Sequence, residues 1–365
     1  MLQECVTKRE EFSRKMIDIL NHGAINLALA LGYRTGLFEV MASLNRPESA
    51  AAIAGAAGLD ERYVSEWLGV MVTGRIVELA PEDGRAPRYF LPPEHAAFLI
   101  RKSEDTNLGV YTQEIPLLTT LAFESVLRGF TTGEGVPYTC YPRFQAFMTE
   151  LSNAKHSEVL VNRFLPSVDG GRLVPRLQQG IRVGDLGCGE GVAVSLMARA
   201  FPHSRFVGID LAEEAIQTAR QGAARQGLTN AEFIVRDAAT LEDDPAMADR
   251  FDYITAFDAV HDQTAPLAAL RGVHHMLAPD GLFSMVDIAA ESAHRGNLDH
   301  PLGPFLYTVS LLHCLPVGLV NQGTGLGMMW GRDRAVAMLR EAGFEHIRVA
   351  AMEDDPFNDH YLCRK

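Results

Sequence analysis

The residues best suited to chemistry lie in the second half of the sequence, and the densest group is Asp185, Gly187, Cys188, Gly189 and Gly191. Three glycines at two-residue spacing give a turn that takes positive φ and lets a ligand press against the backbone. An apolar run from Ile181 leads into the turn, and residues 192–200 beyond it have helical spacing. A helix starting there aims unpaired N–H groups at whatever the turn holds. A dinucleotide turn reads Gly-x-Gly-x-x-Gly, and here the third glycine comes one residue early. Asp185 points the same way, because a carboxylate repels a pyrophosphate and attracts a ligand that carries an ammonium and a sulfonium.

Two further acids fall in register with this turn. Residues 205–210 form a short apolar run that ends in Asp210, 25 residues after Asp185, the length of one strand–helix–strand unit. An acid at the second strand's end can accept bonds from both hydroxyls of a ribose. Residues 231–237 form a third run, ending in Asp237 and Ala238. The span from Asp185 to Gly191 resembles the first motif of class I S-adenosylmethionine (SAM) methyltransferases. That resemblance implies SAM as cofactor, with the glycines along the methionine and adenosine moieties and Asp185 near the amino-acid part. It further implies Leu211 beside the adenine and Asp237-Ala238 at the adenine amino group.

A fourth run, residues 251–257, ends in Phe257 and Asp258, and His261, Asp262 and Gln263 follow. Ligands of a doubly wound sheet sit beyond the carboxyl ends of its strands, so this segment is expected to face the reacting atoms, with Phe257 and Asp258 on the cofactor side. Methyl transfer from a sulfonium requires nucleophile, methyl and sulfur to be held in line. A hydroxyl nucleophile must also lose its proton, and histidine is the side chain best suited to take it near neutral pH. His261 lies nine residues after Asp252. Plant-type small-molecule O-methyltransferases place a catalytic His-Asp-Trp at that distance, and the likeness implies that His261 is a general base. Gln263 replaces the tryptophan. A pocket-lining histidine that takes no proton is the competing reading.

These residues need elements to hold them. The four runs alternate with helical stretches, followed by a fifth strand at 281–287, a helix ending near Phe344, and strands at 346–352 and 360–363. The expected fold is a seven-stranded α/β Rossmann-like domain over residues 166–365, with residues 291–330 inserted as a lid that helps cover the substrate. Residues 1–105 read as helices, with a break at 32–36, and a terminal hairpin whose turn is at 81–84. Helix–turn–helix followed by a hairpin is a winged helix. Residues 106–165 are a helical linker and lid, with a loop at 129–142.

Candidate substrate contacts are Tyr138, Tyr141, Asp262, Gln263, Tyr307 and His313. Residues 138–141 also faintly resemble a Tyr-Ser-Cys segment that touches SAM in fatty-acid cyclopropane synthases. The His-Asp-Gln triplet, the 310–314 run and the glycine-rich segment ending at Trp330 and Gly331 together resemble a mycobacterial group of winged-helix methyltransferases of unassigned substrate.

Composition bounds the remaining classes. The chain has 365 residues, 47% hydrophobic content, a mean hydropathy of 0.00 and a net charge of -13. Residues 1–105 hold 12 Lys and Arg against 15 Asp and Glu, the wrong sign for a phosphate-binding face. The winged helix is therefore expected to dimerise and shape a pocket, as in the plant-type enzymes, rather than bind DNA. Five scattered cysteines without Cys-x-x-Cys spacing suit reduced thiols in the cytoplasm. The N-terminus alternates charges and carries no apolar signal segment. No His, Asp and Glu grouping has metal-site spacing, and no metal is expected. The reading is SAM-dependent methyl transfer to a small, largely apolar molecule by a homodimer, with no nucleic-acid or membrane partner. Protein or RNA methylation, and a non-catalytic SAM-sensing regulator, are the rivals.

Overall fold

The computed structural model describes every residue except 1, 82–85, 103–106, 143, 354 and 356, and only the backbone of 2–6 and 158. The chain divides into two compact units, Met1–Leu117 and Leu118–Lys365. The boundary therefore falls inside the expected linker, and residues 118–165 group with the sheet.

The first unit opens with one long helix, Leu2–Thr35, where a break at 32–36 was expected. The chain turns only at Gly36, with φ of 74°. Gly32 is there for packing: a Cβ on it would stand 2.6 Å from the Trp67 ring and 2.8 Å from that of Phe38. The Trp67 indole N–H donates to the Ala28 carbonyl at 2.8 Å, fixing the second helix of the helix–turn–helix pair onto the first long one. That pair is Ala50–Ala57, capped by Ser49 and closed by Gly58 in the left-handed region, and Glu61–Thr73, capped by Asp60. Strands β1 (Glu78–Leu79) and β2 (Tyr89–Phe90) pair antiparallel as the expected hairpin. Most of its expected turn, residues 82–84, lies outside the described residues.

The second unit is built on seven strands. They are β3 (Arg182–Leu186), β4 (Arg205–Asp210), β5 (Ala231–Val235), β6 (Phe251–Phe257), β7 (Leu277–Ile288), β8 (His346–Ala351) and β9 (Asn358–Arg364). Their order is β5-β4-β3-β6-β7-β9-β8, parallel except for β9, which runs antiparallel between β7 and β8. This is the expected seven-stranded Rossmann-like methyltransferase architecture. Helices cover both faces because the central strands are apolar on both: Leu186, Ile254 and Met285 pack with Leu270 and Leu339 on one side, and Val183, Phe206 and Phe233 with Val194 and Ile216 on the other. The chain winds outward through β4 and β5, then returns to β6 on the far side of β3. That reversal opens a crevice beyond the carboxyl ends of β3 and β6.

The segment after β7 is more helical than its glycines suggest. Gly303–Val309, Ser310–Cys314 and Leu315–Gly318 follow without a break, and the middle stretch is π-helical. Single π turns inside α-helices recur at functional sites, because the extra residue per turn redirects side chains. In the linker, the helix Glu114–Thr132 runs past Gly129 into the expected loop, and the next long helix is Phe144–Val159.

Candidate active site

At the end of β3 the backbone turns through Gly187, Gly189 and Gly191, all with φ between 51° and 75°. Two of these glycines are also demanded by close packing. A Cβ on Gly187 would lie 2.4 Å from that of Ala259, and one on Gly191 would lie 2.4 Å from the Phe233 ring. The helix Val192–Ala200 starts immediately beyond. Asp210, at the end of β4, accepts the Gly189 N–H and the Ala212 N–H, each at 2.8 Å. The second acid therefore stands against the glycine turn, and burial pushes its carboxyl up against the pull of those backbone bonds. Leu211 beside it is 67% exposed.

Asp185 is buried and accepts the Thr255 hydroxyl at 2.6 Å. Burial pushes it up to about 7, against the opposing Thr255 bond, with a smaller push from Asp210. A buried acid with this affinity for a proton is a ready partner for an organic cation. Cys188 packs its sulfur where a side chain on Gly208 would otherwise go, so the motif's cysteine fills a gap between strand and turn. Asp237 is exposed and caps the short helix Ala238–Asp243 through the Ala239 N–H, while Ala238 is buried.

After β6, Asp258 takes φ of 50° and bends the chain so that Ala259 seats on Gly187. Its carboxylate pairs with Lys155 at 2.8 Å and accepts from Asn358 at 3.2 Å. Burial would raise Asp258, but the Lys155 ammonium outweighs it and holds the carboxyl below its ordinary range. Phe257 packs inward on His156 and Phe164.

His261 is 2% exposed, and its Nδ1 lies 2.7 Å from Asp287 Oδ1, at the end of β7. The same oxygen accepts the Trp330 indole N–H at 3.1 Å and the Ile288 N–H at 2.8 Å. Asp287 thereby fixes the ring and assigns its proton to Nδ1, leaving Nε2 to face Asp262 at 3.5 Å. Burial would lower the ring's proton affinity, but the carboxylates of Asp287 and Asp262 reverse this and raise it well above the ordinary histidine range. Sequence reasoning missed Asp287 and Trp330 as site residues. The signal was an acid closing a hydrophobic strand, and a tryptophan in the glycine-rich segment, 69 residues after His261.

The π turn directs His313 and Cys314 inward. His313 lies against Phe144 (4.0 Å between ring centres), Tyr141 (4.9 Å) and Tyr138 (5.3 Å), forming an aromatic wall next to the His261 group. Burial pushes the Tyr138 hydroxyl up, and the carboxylates of Asp262 and Asp210 add to the rise. Three expected substrate contacts have other work here. Tyr141 is buried and donates its hydroxyl to the Leu312 carbonyl at 2.8 Å, which anchors the π turn. Gln263 donates to the Ala259 carbonyl at 3.0 Å, stabilising the bend after β6. Tyr307 is not brought to His261; its hydroxyl accepts from Asn297 and its ring meets His294.

Comparison with known proteins agrees with this geometry. A family model described as a methyltransferase domain matches residues 177–301, and one described as an Rv2258c-like winged HTH domain matches residues 23–101. The ubiquinone biosynthesis O-methyltransferase of Leptothrix cholodnii is 31% identical over 196 residues, covering 51% of this chain and 78% of that protein. This chain belongs to the class I SAM-dependent methyltransferases. Among solved structures, human N-acetylserotonin methyltransferase in complex with SAM superposes with a TM-score of 0.68 at 18% identity, over 97% of both chains. An O-methyltransferase described as putative, from Nostoc punctiforme, gives 0.71 at 16% identity, over 96% and 98%. At such identities the likeness is one of fold. The chain spans about two fifths of the length of several other curated relatives.

SAM, the family's cofactor, supplies an electrophilic methyl group on a sulfonium when bound. The residues present fit it: the positive-φ turn, open at Gly189, would let it approach the backbone, buried Asp185 would take its ammonium, and Asp210 beside the turn would take its ribose.

Proposed function

We propose that this protein transfers a methyl group from SAM to a hydroxyl of a small, largely apolar molecule, with His261 taking the hydroxyl proton. The observation that carries the reading is the buried His261–Asp287 pair at the carboxyl ends of β6 and β7, two residues past the Ala259 that seats on Gly187. A ring whose Nδ1–H is bound to a carboxylate keeps its lone pair on Nε2 and has it made more basic. Its raised proton affinity strengthens the base, but the ring must shed any proton it already holds on Nε2 before it can take the acceptor's. The aromatic wall of Tyr138, Phe144 and His313 favours an acceptor with an apolar, planar body. Residues 291–330 and the Tyr138 segment are read as the covers of that acceptor. Asp237-Ala238 and Leu211 are read as the adenine end of the cofactor site.

The long first helix supports a homodimer. Phe12, Met16, Leu20, Leu27 and Leu31 are each at least 40% exposed and fall within one stripe of about 100°. A second copy of the same helix is the partner of matching shape. The unpaired state of Cys140, Cys188, Cys314 and Cys363 suits a reducing cytoplasm. Among the described residues no single helix is long and apolar enough to cross a membrane.

The test is incubation with methyl-labelled SAM and fractionated cell extract. Label in a small molecule supports the reading; label confined to protein or RNA ends it. SAM binding without turnover, together with a salt-sensitive DNA shift, would favour the regulator instead. His261→Ala should keep SAM affinity and lose turnover on a hydroxyl acceptor by about 10²-fold or more. Unchanged turnover would remove His261 as base and point to an acceptor that arrives already nucleophilic.

A further inference from the structure

The His261 group holds a set of atoms that proton transfer alone does not use. A ring nitrogen of His261, an Asp262 carboxylate oxygen and Cys314 Sγ all lie within 4.8 Å of one another, with both the histidine and the cysteine buried. The ligand atoms of a tetrahedral zinc site stand about 3.5 Å apart, given bond lengths of about 2.0–2.3 Å. Nε2 and Asp262 Oδ1 are already at 3.5 Å. His313 Nδ1 backs the set at 3.8 Å from both the Asp262 carboxylate and the Cys314 sulfur.

Three observations separate this cluster from a chance gathering. First, Asp262 Oδ1 is a buried oxygen with no hydrogen-bond partner, although it faces Nε2. Second, His261 gives its other nitrogen to a carboxylate, which is the outer-shell arrangement that orients histidine ligands on metals. That carboxylate is itself fixed by Trp330 and the Ile288 N–H. Third, the donors are imidazole, carboxylate and thiol, a mixture that suits zinc and its neighbours and not magnesium or calcium. His313 and Cys314 arrive together because the π turn brings two adjacent residues inward.

We propose that His261, Asp262 and Cys314 form a binding site for a thiophilic divalent cation of the zinc type. Filling it forms bonds from the metal to Nε2, Sγ and one carboxylate oxygen, and releases to solvent the thiol proton and any proton on Nε2. A thiol binds zinc as the thiolate, so filling the site and losing the Cys314 proton come together. Three protein ligands leave a fourth position for water or an acceptor atom. A cation on Nε2 occupies the lone pair that would take the hydroxyl proton, so methyl transfer stops while the site is filled. That last consequence rests on His261 being the base.

The experiment is a titration of the full chain with Co²⁺ under reducing, chelator-free conditions, followed by absorbance. A thiolate-to-cobalt charge-transfer band should grow to saturation at one equivalent, and one equivalent of Zn²⁺ should abolish it. Cys314→Ser should lose the band. Asp287→Asn, which leaves all three ligands in place, should weaken binding by about 10- to 100-fold. No band in the parent protein, or a band that survives Cys314→Ser, overturns the site. Should Cys314→Ser fail to fold, Asp262→Asn serves: affinity unchanged in it overturns the site equally. Saturable binding with methyl transfer unimpaired leaves the site standing and removes His261 as base.

Discussion

At the scale of single residues, two buried carboxylates, Asp185 and Asp287, give the proposal its sharpest tests. Asp185 is pushed up to about 7 by burial, so near neutral pH it is divided between the neutral and anionic forms. Only the anion attracts the cofactor's ammonium, so SAM binding should tighten as pH rises through about 7 and level off above it. Calorimetric titration in buffers of different ionisation enthalpy should register proton release below that pH. Asp185→Asn should weaken SAM by about tenfold and flatten the profile. A wild-type affinity that does not change between about pH 6 and 8 would show that Asp185 does not meet the ammonium. Asp287 acts one step further back, through the ring of His261. Asp287→Asn keeps the size but loses the charge and admits the other tautomer, so turnover should fall by about 10²-fold or more with SAM affinity unchanged. A fall in SAM affinity instead would make Asp287 a structural residue of the cofactor cleft.

At the scale of elements, the glycine turn and the π turn do different work. The turn is fixed twice over, by positive φ and by contact with Ala259 and Phe233, so substitution has a steric consequence independent of the ligand. Gly191→Ala should lower stability by about 1–3 kcal/mol, seen as a reduced Tm without SAM. Gly189 is open by comparison, since a Cβ there would meet only Gln145 at 3.8 Å. Gly189→Ala should therefore carry the positive-φ strain without the packing clash, lower Tm less than Gly191→Ala, and damage SAM binding more than folding. Equal effects of the two on Tm would contradict this division. The π turn at Ser310–Cys314 is anchored by Tyr141 to the Leu312 carbonyl. Tyr141→Phe removes that bond, worth about 1 kcal/mol, and should loosen the aromatic wall, raising acceptor KM more than it lowers kcat.

At the scale of the whole molecule, two predictions concern stability and assembly. His156 and His360 are both held down to about 4, chiefly by burial. Their folded forms bind protons less readily than the unfolded chain, so they stay neutral where the unfolded chain has charged. The resulting stability loss begins as pH falls below the ordinary histidine value and grows until about 4. Denaturant midpoints measured from neutral pH downward should fall over that window, and His156→Gln with His360→Gln should flatten it. In assembly, Leu20→Glu with Leu27→Glu places charges in the exposed stripe and should give a monomer by light scattering. An unchanged mass would locate any dimer contact elsewhere.

The sequence by itself determined the turn, the strands and the cofactor class. Each is local: glycine spacing sets backbone φ, an acid closes each strand, and the 3.6 and 2.0 periodicities mark helices and strands. The caps at Ser49 and Asp60 and the stop at Gly58 were legible for the same reason. The break expected over 32–36 narrows to Gly36, because Gly32, needed for the approach of Trp67, looks in sequence like a glycine needed for a turn. Only the tertiary structure decided what surrounds His261. Asp287, Cys314 and Trp330 lie 26, 53 and 69 residues beyond it, and no periodicity links them. They meet because β6 and β7 lie side by side, the inserted helix carries a π turn, and one oxygen of buried Asp287 accepts from both His261 and Trp330.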